Sequence, residues 1–581
     1  MFMQDSHCWY AGLRLSAVLL AIALFYAIAC KSATPAQHAD SISNNSPQLL
    51  SPEARQWLTS TIASGNLSDL RWSDFSDYSR HLRKFYDLNG ESLWWSRGYE
   101  STPQARQLIA LLRQADQKGL AADDYDGPRW PDRLAKLKPA ARQPAEMDVV
   151  KFDLALTVCA MRYISDLHVG KVNPNRLAFA FDDAAKRYDL PEFLKDNVVS
   201  ANDVAGTIAQ VEPPYPGYRR TMQALLAYMA LAQKDDVGQI PPVAKVIAPG
   251  ESYSGVPQLA RRLRLVGDLP ADATVSADGT MYQGTLVDAV KRFQNRHGRD
   301  PSGRIDAQTV ADLNVPLSRR VRQMQLTLER WRWLPNIDRK SPPIVANIPE
   351  FRLRAYDNNF NIGVAMNVVV GRAFGHKTPV FTDTMRYVVF RPYWEVPPSI
   401  IRGEMIPHIV RDPDYLEKKG FEVVDSRQNV VTEGRVSAEV LSQLRAGKLF
   451  LRQKPGANNA LGAVKFVFPN SYNVYMHDTP STEFFAKSRR DFSHGCIRLE
   501  KPADLAAFVL RDNPGWTPER IRAAMNGDAP QQVNLAHPIP VLIVYGTVVV
   551  LEDGLVHFYD DIYGHDAALE TALAKGYPYP W

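Results

Sequence analysis

The sequence predicts a multidomain α+β protein: a helical scaffold domain, a small three-helix module, and a β-rich domain interrupted by a long insertion. The chain has 581 residues, too many for one ordinary core, so roughly two to four domains are expected. Apolar residues recur at helical spacing from Ser51 to about residue 247, and again in a separate unit from 256 to about 315. From about Ser341 the pattern changes to alternation in short β-branched and aromatic runs.

A composition of 45% hydrophobic and 23% charged residues is that of a folded soluble body. One stretch stands outside it. Leu15 to Ala29 is almost wholly apolar, with Arg14 before it and Cys30-Lys31 after it. An apolar run of about 15 is short for a spanning helix, which needs roughly 20, and it matches the h-region of a secretory signal. Residues 1–31 are therefore read as a signal or anchor segment, and the chain is expected outside the cytoplasm. Ala27-Ile28-Ala29-Cys30 resembles a lipoprotein signal, so lipidation of Cys30 and an uncleaved membrane anchor are both open readings.

Residues 32–47, rich in Ser, Ala, Pro, Gln and Asn, read as a linker. Residues 48–250 form the expected helical scaffold. Leu108, Leu111 and Leu112 line one face of Ala105–Ala115, Val149–Leu167 is apolar at helical spacing, and breaks fall at Gly119, Gly170 and Pro213–Gly217. In 251–316 three helices are spaced by Leu259 and Leu263, by Leu286, Val290 and Phe293, and by Val310 and Leu313. A connecting helix is expected in 317–340 and a C-terminal helical tail in 566–581.

Between them, 341–565 holds the strand patterns Ile344–Ile348, Phe351–Tyr356, Val364–Val370, Arg386–Phe390, Ala463–Phe468, Tyr472–His477 and Ile539–Val550. Many strands with few helices predict a sandwich or a barrel-like domain. The insertion, about 399–456, has a helical pattern at Val436–Leu444. Long segments of this kind are often lids over sites.

A net charge of +5 without any dense Lys/Arg stripe is no nucleic-acid signature, and it suits an anionic partner. Of the four cysteines, Cys8 and Cys30 lie in or beside the export segment. Cys159 sits in an apolar helical run and reads as a buried core thiol. Cys496 sits in a polar turn containing Gly495, and two distant cysteines in unlike contexts form no disulfide framework. Cys496 needs another reason to exist.

That reason is chemical. Alternation along Tyr472–His477 puts Asn473, Tyr475 and His477 on one face, with His477 ending a strand before Asp478-Thr479-Pro480. Nineteen residues on comes Ser493-His494-Gly495-Cys496-Ile497-Arg498-Leu499, and Pro502 then stands in the first turn of a helix. A thiol near pH 7 is mostly protonated, so a nucleophilic Cys496 needs an imidazole to take its proton and a third group to fix that imidazole's tautomer. Gly495 allows a tight turn whose amides face a developing oxyanion. A zinc site built from His477, His494 and Cys496 is the weaker reading, because no second thiol lies nearby and no Cys-x-x-Cys or His-x-x-x-His spacing occurs. No metal and no cofactor are expected.

His477, a spacer and Ser493-His494-Gly495-Cys496 closely resemble the signature of the L,D-transpeptidase (YkuD) catalytic domain. The resemblance extends to Met385–Ile400, Pro455–Gly462 and Asp560–Gly564, which look like the large Gram-negative members. Those members carry a helical scaffold and a peptidoglycan-binding module ahead of the catalytic domain. Ala289–Gly298 with Gly303–Asp306, Thr309 and Val310 resembles that module.

The resemblance implies Cys496 as nucleophile and His477 as base, with the Asp478 carbonyl orienting His477. Ser493, His494 and Gly495 would support the site, and Arg498 would meet substrate carboxylate or brace the loop. Trp394, Asn459, Lys465 and Tyr475 are candidate substrate-binding residues, and Lys465, Arg489, Arg490 and Arg498 are candidate partners for stem carboxylates, with Arg489 and Arg490 equally readable as a solvated face. The implied partners are donor and acceptor tetrapeptide stems of periplasmic peptidoglycan, with carbapenems expected to acylate Cys496. The implied reaction is a two-step exchange through a thioester that joins third residues of two stems. Water as acceptor would give an L,D-carboxypeptidase, and a lipoprotein lysine would give anchoring to the wall. A non-catalytic wall-binding protein is the reading from another class.

Overall fold

The computed structural model describes residues 50–90, 92–137, 145–181, 186, 188–275 and 279–579. The stretches expected to be an export segment and a linker, with Cys8 and Cys30, lie outside the described residues. Among the described residues no helix is long and apolar enough to cross a membrane.

Buried side chains separate into distinct cores. The first is helical, around α1 (Pro52–Ser64), α2 (Ser79–Asp87), α3 (Pro103–Arg113) and α4 (Glu146–Val169). α1 and α3 start where a helix should. Ser51 and Thr102 accept the Ala54 and Ala105 N–H groups, and a proline follows each cap. α4 is buried nearly all round, which is why its apolar residues show no single stripe and why Cys159 is sealed. Burial pushes the Cys159 thiol far above its ordinary value, so it is inert.

α5 (Pro216–Gln233) falls in the stretch that reads as scaffold, yet its Tyr218, Leu225 and Tyr228 join the core of the β-rich domain. Periodicity shows which face of a helix is buried and not what buries it. The three-helix module is α6 (Val256–Leu265), α7 (Thr285–Arg296) and α8 (Ala307–Leu313), closed around Leu259, Leu263, Leu286, Val290, Phe293, Val310 and Leu313. It is docked on the β-rich domain: Arg299 bridges Asp312 at 2.7 Å and Asp560 at 2.8 Å, and the His297 ring stacks on Phe293 and Phe558. The connecting helix α9 (Leu317–Trp333) lies against α5.

The β-rich domain begins with a strand lent by the helical part, β1 (Phe179–Ala180). Its own strands are β2 (Ile344–Asn347), β3 (Arg352–Tyr356), β4 (Ile362–Gly371), β5 (Val380–Phe390), β6 (Trp394–Glu395), β7 (Phe421–Val424), β8 (Val430–Thr432), β9 (Phe450–Gln453), β10 (Val464–Val467), β11 (Met476–His477), β12 (Asp491–Ser493), β13 (Ile497–Leu499) and β14 (Gln531–Val544). Hydrogen bonding follows β10-β11-β13-β4-β3-β2-β14-β5, and β5 pairs back onto β10. The sheet therefore closes on itself, which removes the open edges that invite aggregation. Neighbours in this ring are antiparallel except β11–β13 and β2–β14. A parallel pair needs a long crossover. The β11–β13 crossover is the segment from Asp478 to Cys496.

Two strand readings change in the structure. Ile539–Val550 is not one strand: β14 starts at Gln531 and ends at Val544, and Val548–Val550 pairs separately with Val556–Phe558. Tyr472–His477 shortens to β11 because Asn473 adopts φ +55°, with the turn tied by the Asn470 side chain to the Val474 N–H and carbonyl. The insertion is a small folded body. It holds the sheet β8-β7-β9-β6, a helix at Ala438–Arg445 and a core that includes Val396, Ile401, Met405, Phe421, Leu444 and Leu451.

Candidate active site

β11 lies between β10 and β13. Lys465, His477 and Arg498 are register partners across these three strands, so their side chains leave one face of the sheet. Met476 and Ile497 point the other way, into the core, and are fully buried. The Ile497 N–H donates to the Tyr475 carbonyl at 3.1 Å, which sets Tyr475 beside Cys496 one row below. Alternation then puts Cys496 and His477 on the same face of adjacent strands, diagonally placed. Neighbouring side chains meet across such a diagonal.

His477 is buried, 5% exposed. Its Nδ1 lies 2.5 Å from the Asp478 backbone carbonyl. A carbonyl only accepts, so Nδ1 carries the proton and Nε2 is left as the acceptor. Burial, reinforced by Arg498 and then Lys465, pushes the imidazole down to about 3, against the weaker opposing pull of the Asp478 carbonyl. His477 is therefore neutral at pH 7. The Asp478 carboxylate faces away and accepts the Ala463 and Thr479 N–H groups at 2.8 and 2.7 Å.

The Cys496 thiol is recessed but reachable, with Sγ 3.8 Å from the Asn473 carbonyl. Burial raises it above its ordinary value, partly offset by Tyr475 and by the Lys465 and Arg498 charges. The resting site thus holds a thiol and a neutral imidazole on one face of the sheet. The Cys496 N–H makes no hydrogen bond among the described residues.

The loop under the sulfur is braced from both sides. Ser493 Oγ donates to the Cys496 carbonyl at 2.6 Å and accepts the Gly495 N–H at 3.1 Å. Gly495 has φ +118°, a conformation that only glycine adopts readily. Its carbonyl accepts from Thr378 Oγ1 at 2.8 Å, and the same oxygen accepts the Gly371 N–H at 2.8 Å. The Tyr563 hydroxyl donates to the Gly371 carbonyl at 2.5 Å. A Cβ on Gly371 would lie 2.0 Å from the His376 carbonyl, so the strand and the loop meet this closely only at a glycine. His494 reaches the insertion: its Nε2 is 2.6 Å from Glu404 Oε1, and its ring meets His376.

Several residues expected at the site do something else. Asn459 is 1% exposed, and its side chain is spent on the Pro392, Gln453 and Lys454 carbonyls and the Leu461 N–H. It ties a loop and has no group left for substrate. The Gly495 amide, expected at the oxyanion, is turned onto Ser493. Arg489 pairs with Asp491, and Arg490 donates to the Phe351 carbonyl at 3.2 Å. Trp394 lies next to Tyr475, and Lys465 and Tyr475 stand on the His477 face with the ammonium 4.0 Å from the ring centre. Among the described residues no three His, Cys, Asp or Glu side chains gather as a metal site. Thr378 and Glu404 carry no signal in the sequence, since each is an ordinary polar residue distant along the chain from Cys496, and Asn473, on the expected face, acts through its backbone carbonyl. Tyr563 lay inside a resembling stretch and carried no role.

A closed β ring with a thiol and a neutral imidazole on adjacent strands defines a cysteine–histidine site on a barrel-like domain. Residues 342–550 match the model of the L,D-transpeptidase catalytic domain, 80–225 that of a scaffold domain, and 252–313 one described as "Putative peptidoglycan binding domain". Residues 342–550 thus carry an L,D-transpeptidase catalytic domain, preceded by a scaffold domain and a peptidoglycan-binding-type domain.

A Haemophilus influenzae protein described as "Putative L,D-transpeptidase" is 28% identical over 270 residues, 46% of this chain and 53% of that protein. The chain thus spans about half the length of this curated relative. Two solved structures show partial likeness. An L,D-transpeptidase (Yku) from Stackebrandtia nassauensis is 13% identical over 52% of this chain and 97% of that one, with a TM-score of 0.21. A fused Zn-dependent amidase/peptidase/peptidoglycan-binding protein from Clostridium acetobutylicum is 14% identical over 52% and 99%, with a TM-score of 0.14.

Proposed function

We propose that this chain is an exported peptidoglycan L,D-transpeptidase that joins the third residues of two stem peptides through a thioester on Cys496. The observation that carries the reading is His477: neutral, its Nδ1 held by the Asp478 carbonyl, its Nε2 free, on the face it shares with Cys496. As Sγ attacks the carbonyl of the donor's third residue, Nε2 takes the thiol proton. The Cys496 N–H faces the developing oxyanion. His477 then delivers the proton to the departing D-alanine amine, leaving a thioester. The side-chain amine of a second stem attacks that thioester, His477 takes the amine's proton, and the new amide leaves as the proton returns to sulfur.

The insertion, joined to the nucleophile loop through Glu404 and His494, favours an amine over water by limiting access to the thioester. The three-helix module, docked beside the catalytic domain, supports a peptidoglycan substrate. Incubation with disaccharide-tetrapeptide should yield a crosslinked dimer from the native protein and none from Cys496→Ala. A product that is only the shortened tripeptide would make the protein a carboxypeptidase, and unchanged crosslinking by Cys496→Ala would overturn the reading.

A further inference from the structure

His477 is flanked in its cross-strand row by two cations, Lys465 on β10 and Arg498 on β13. Neither side chain makes a hydrogen bond or ion pair with any described residue. Lys465 has only the face of Tyr475, 4.0 Å from its ammonium, and Arg498 only that of Phe484 at 5.8 Å, with its Nε buried and unsatisfied. The acids they feel, Glu395 for Lys465 and Glu483 for Arg498, form no ion pair with them, and Arg372 adds a third positive charge near Arg498. Two unpaired cations either side of a buried neutral imidazole are unfavourable in the empty site, because like charges repel and each has lost water without gaining a counter-ion. A ligand that places one anionic group at each end of the row removes that cost.

We propose that Lys465 is a specificity-determining residue. With Arg498 it selects donors that carry two carboxylates flanking the scissile carbonyl, one on the leaving residue and a second on the side chain of the third residue. This rests on the reading of Cys496 as the nucleophile toward tetrapeptide stems and names which stems it takes. The same pairing serves the chemistry. Carboxylates at both ends of the row also offset the share of the His477 shift that Arg498 and Lys465 add to burial, which eases transfer of the thiol proton to the imidazole. A stem whose side-chain carboxylate is amidated leaves one cation bare.

The test uses three tetrapeptides, identical but for the third residue: diaminopimelate, its side-chain carboxamide, and lysine. D-Alanine release gives kcat and KM for the full chain and for Lys465→Met and Lys465→Arg. A charge-assisted hydrogen bond predicts that the native protein prefers the free carboxylate over the other two by roughly ten- to a hundredfold in kcat/KM. Lys465→Met should bring that preference to within about twofold, chiefly by losing the free-carboxylate donor, and Lys465→Arg should keep it. Titration of Cys496→Ala protein, with and without Lys465→Met, reads the same preference as binding when turnover is too slow. Equal use of all three peptides by the native protein, or an undiminished preference in Lys465→Met, overturns the proposal while leaving the transpeptidase reading intact. No release from any stem overturns both. A loss in Lys465→Met that is equal for all three peptides also overturns it and makes the lysine a general activator of the thiol.

Discussion

Glu404 Oε1 lies 2.6 Å from His494 Nε2, so an insertion residue touches the loop that carries Cys496, ninety positions along the chain. The contact is the point at which the insertion and the nucleophile loop are fastened together. Glu404→Ala removes it without entering the core, since Glu404 is exposed. The expected outcome is faster amide exchange across 401–411 and a larger share of hydrolysed tripeptide among the products, with D-alanine release reduced less than fivefold, about 1 kcal/mol. Unchanged exchange in that segment would show that the contact holds nothing.

His477 makes its own contribution to the pH dependence of stability. Its imidazole is pushed down to about 3 in the folded chain against an ordinary value of 6.5, so between these values the unfolded chain binds the extra proton. The His477 contribution to stability should therefore be full above about 6.5 and be lost as pH falls toward about 3, while the raised Asp166 carboxyl contributes the opposite slope. His477→Asn should remove the histidine's share of the slope in thermal melts taken across this range. The same shift predicts that kcat/KM shows no acid limb near 6.5.

Thiol reactivity should be that of a protonated cysteine. Burial raises Cys496 above its ordinary value of 9.0, and Lys465 and Arg498 pull it partly back. Alkylation by iodoacetamide should be slow at pH 7 and climb past pH 9, and Lys465→Met should move the curve further upward. Mass analysis of the native fold should find the label, and a carbapenem adduct, on Cys496 and none on the buried Cys159.

Thr378 is the keystone under the nucleophile. Its hydroxyl accepts the Gly371 N–H and donates to the Gly495 carbonyl, both at 2.8 Å. Thr378→Val keeps the shape and leaves two buried backbone groups unpaired, at a cost of about 1–3 kcal/mol. The melting temperature should fall, and kcat should fall at least tenfold with little change in KM, because the loop that positions Sγ loses its tie. A fall in stability with unchanged kcat would make Thr378 purely structural.

The C-terminal tail should matter to the scaffold. The Tyr577 hydroxyl joins that of Tyr125, at 2.5 Å, on Asp166 Oδ2, and the Arg162 guanidinium lies 4.3 Å from the Tyr577 ring centre. Burial holds the Asp166 carboxyl up at about 7, opposed by Lys171 and by these hydroxyls. Tyr577→Phe removes one donor from a sealed acid and should lower stability by about 1–2 kcal/mol, read as a shifted thermal midpoint with transpeptidation retained. An unshifted midpoint would mean the acid is satisfied by Tyr125 alone.

The residues alone determined the chemistry's raw materials and the character of each region. Helical spacing marked α3, α4 and the three module helices, alternation marked β2 to β5 and β10, and a thiol in a glycine turn after His477 singled out the pair. These are local signals, because a helix face or strand face repeats every few residues wherever it is buried. Tertiary structure decided the rest. β12 and β13 are three residues each, too short to show a pattern, and the strands of the insertion became visible only when paired. Partners also lay beyond any local signal. Asn459 turned out to spend its amide on backbone carbonyls, α5 to lie in the β-domain core, and Glu404 and Thr378 to meet the Cys496 loop from ninety and more residues away. Register across β10, β11 and β13 set Lys465, His477 and Arg498 in one row, because which side chains become neighbours depends on how strands align in the folded sheet.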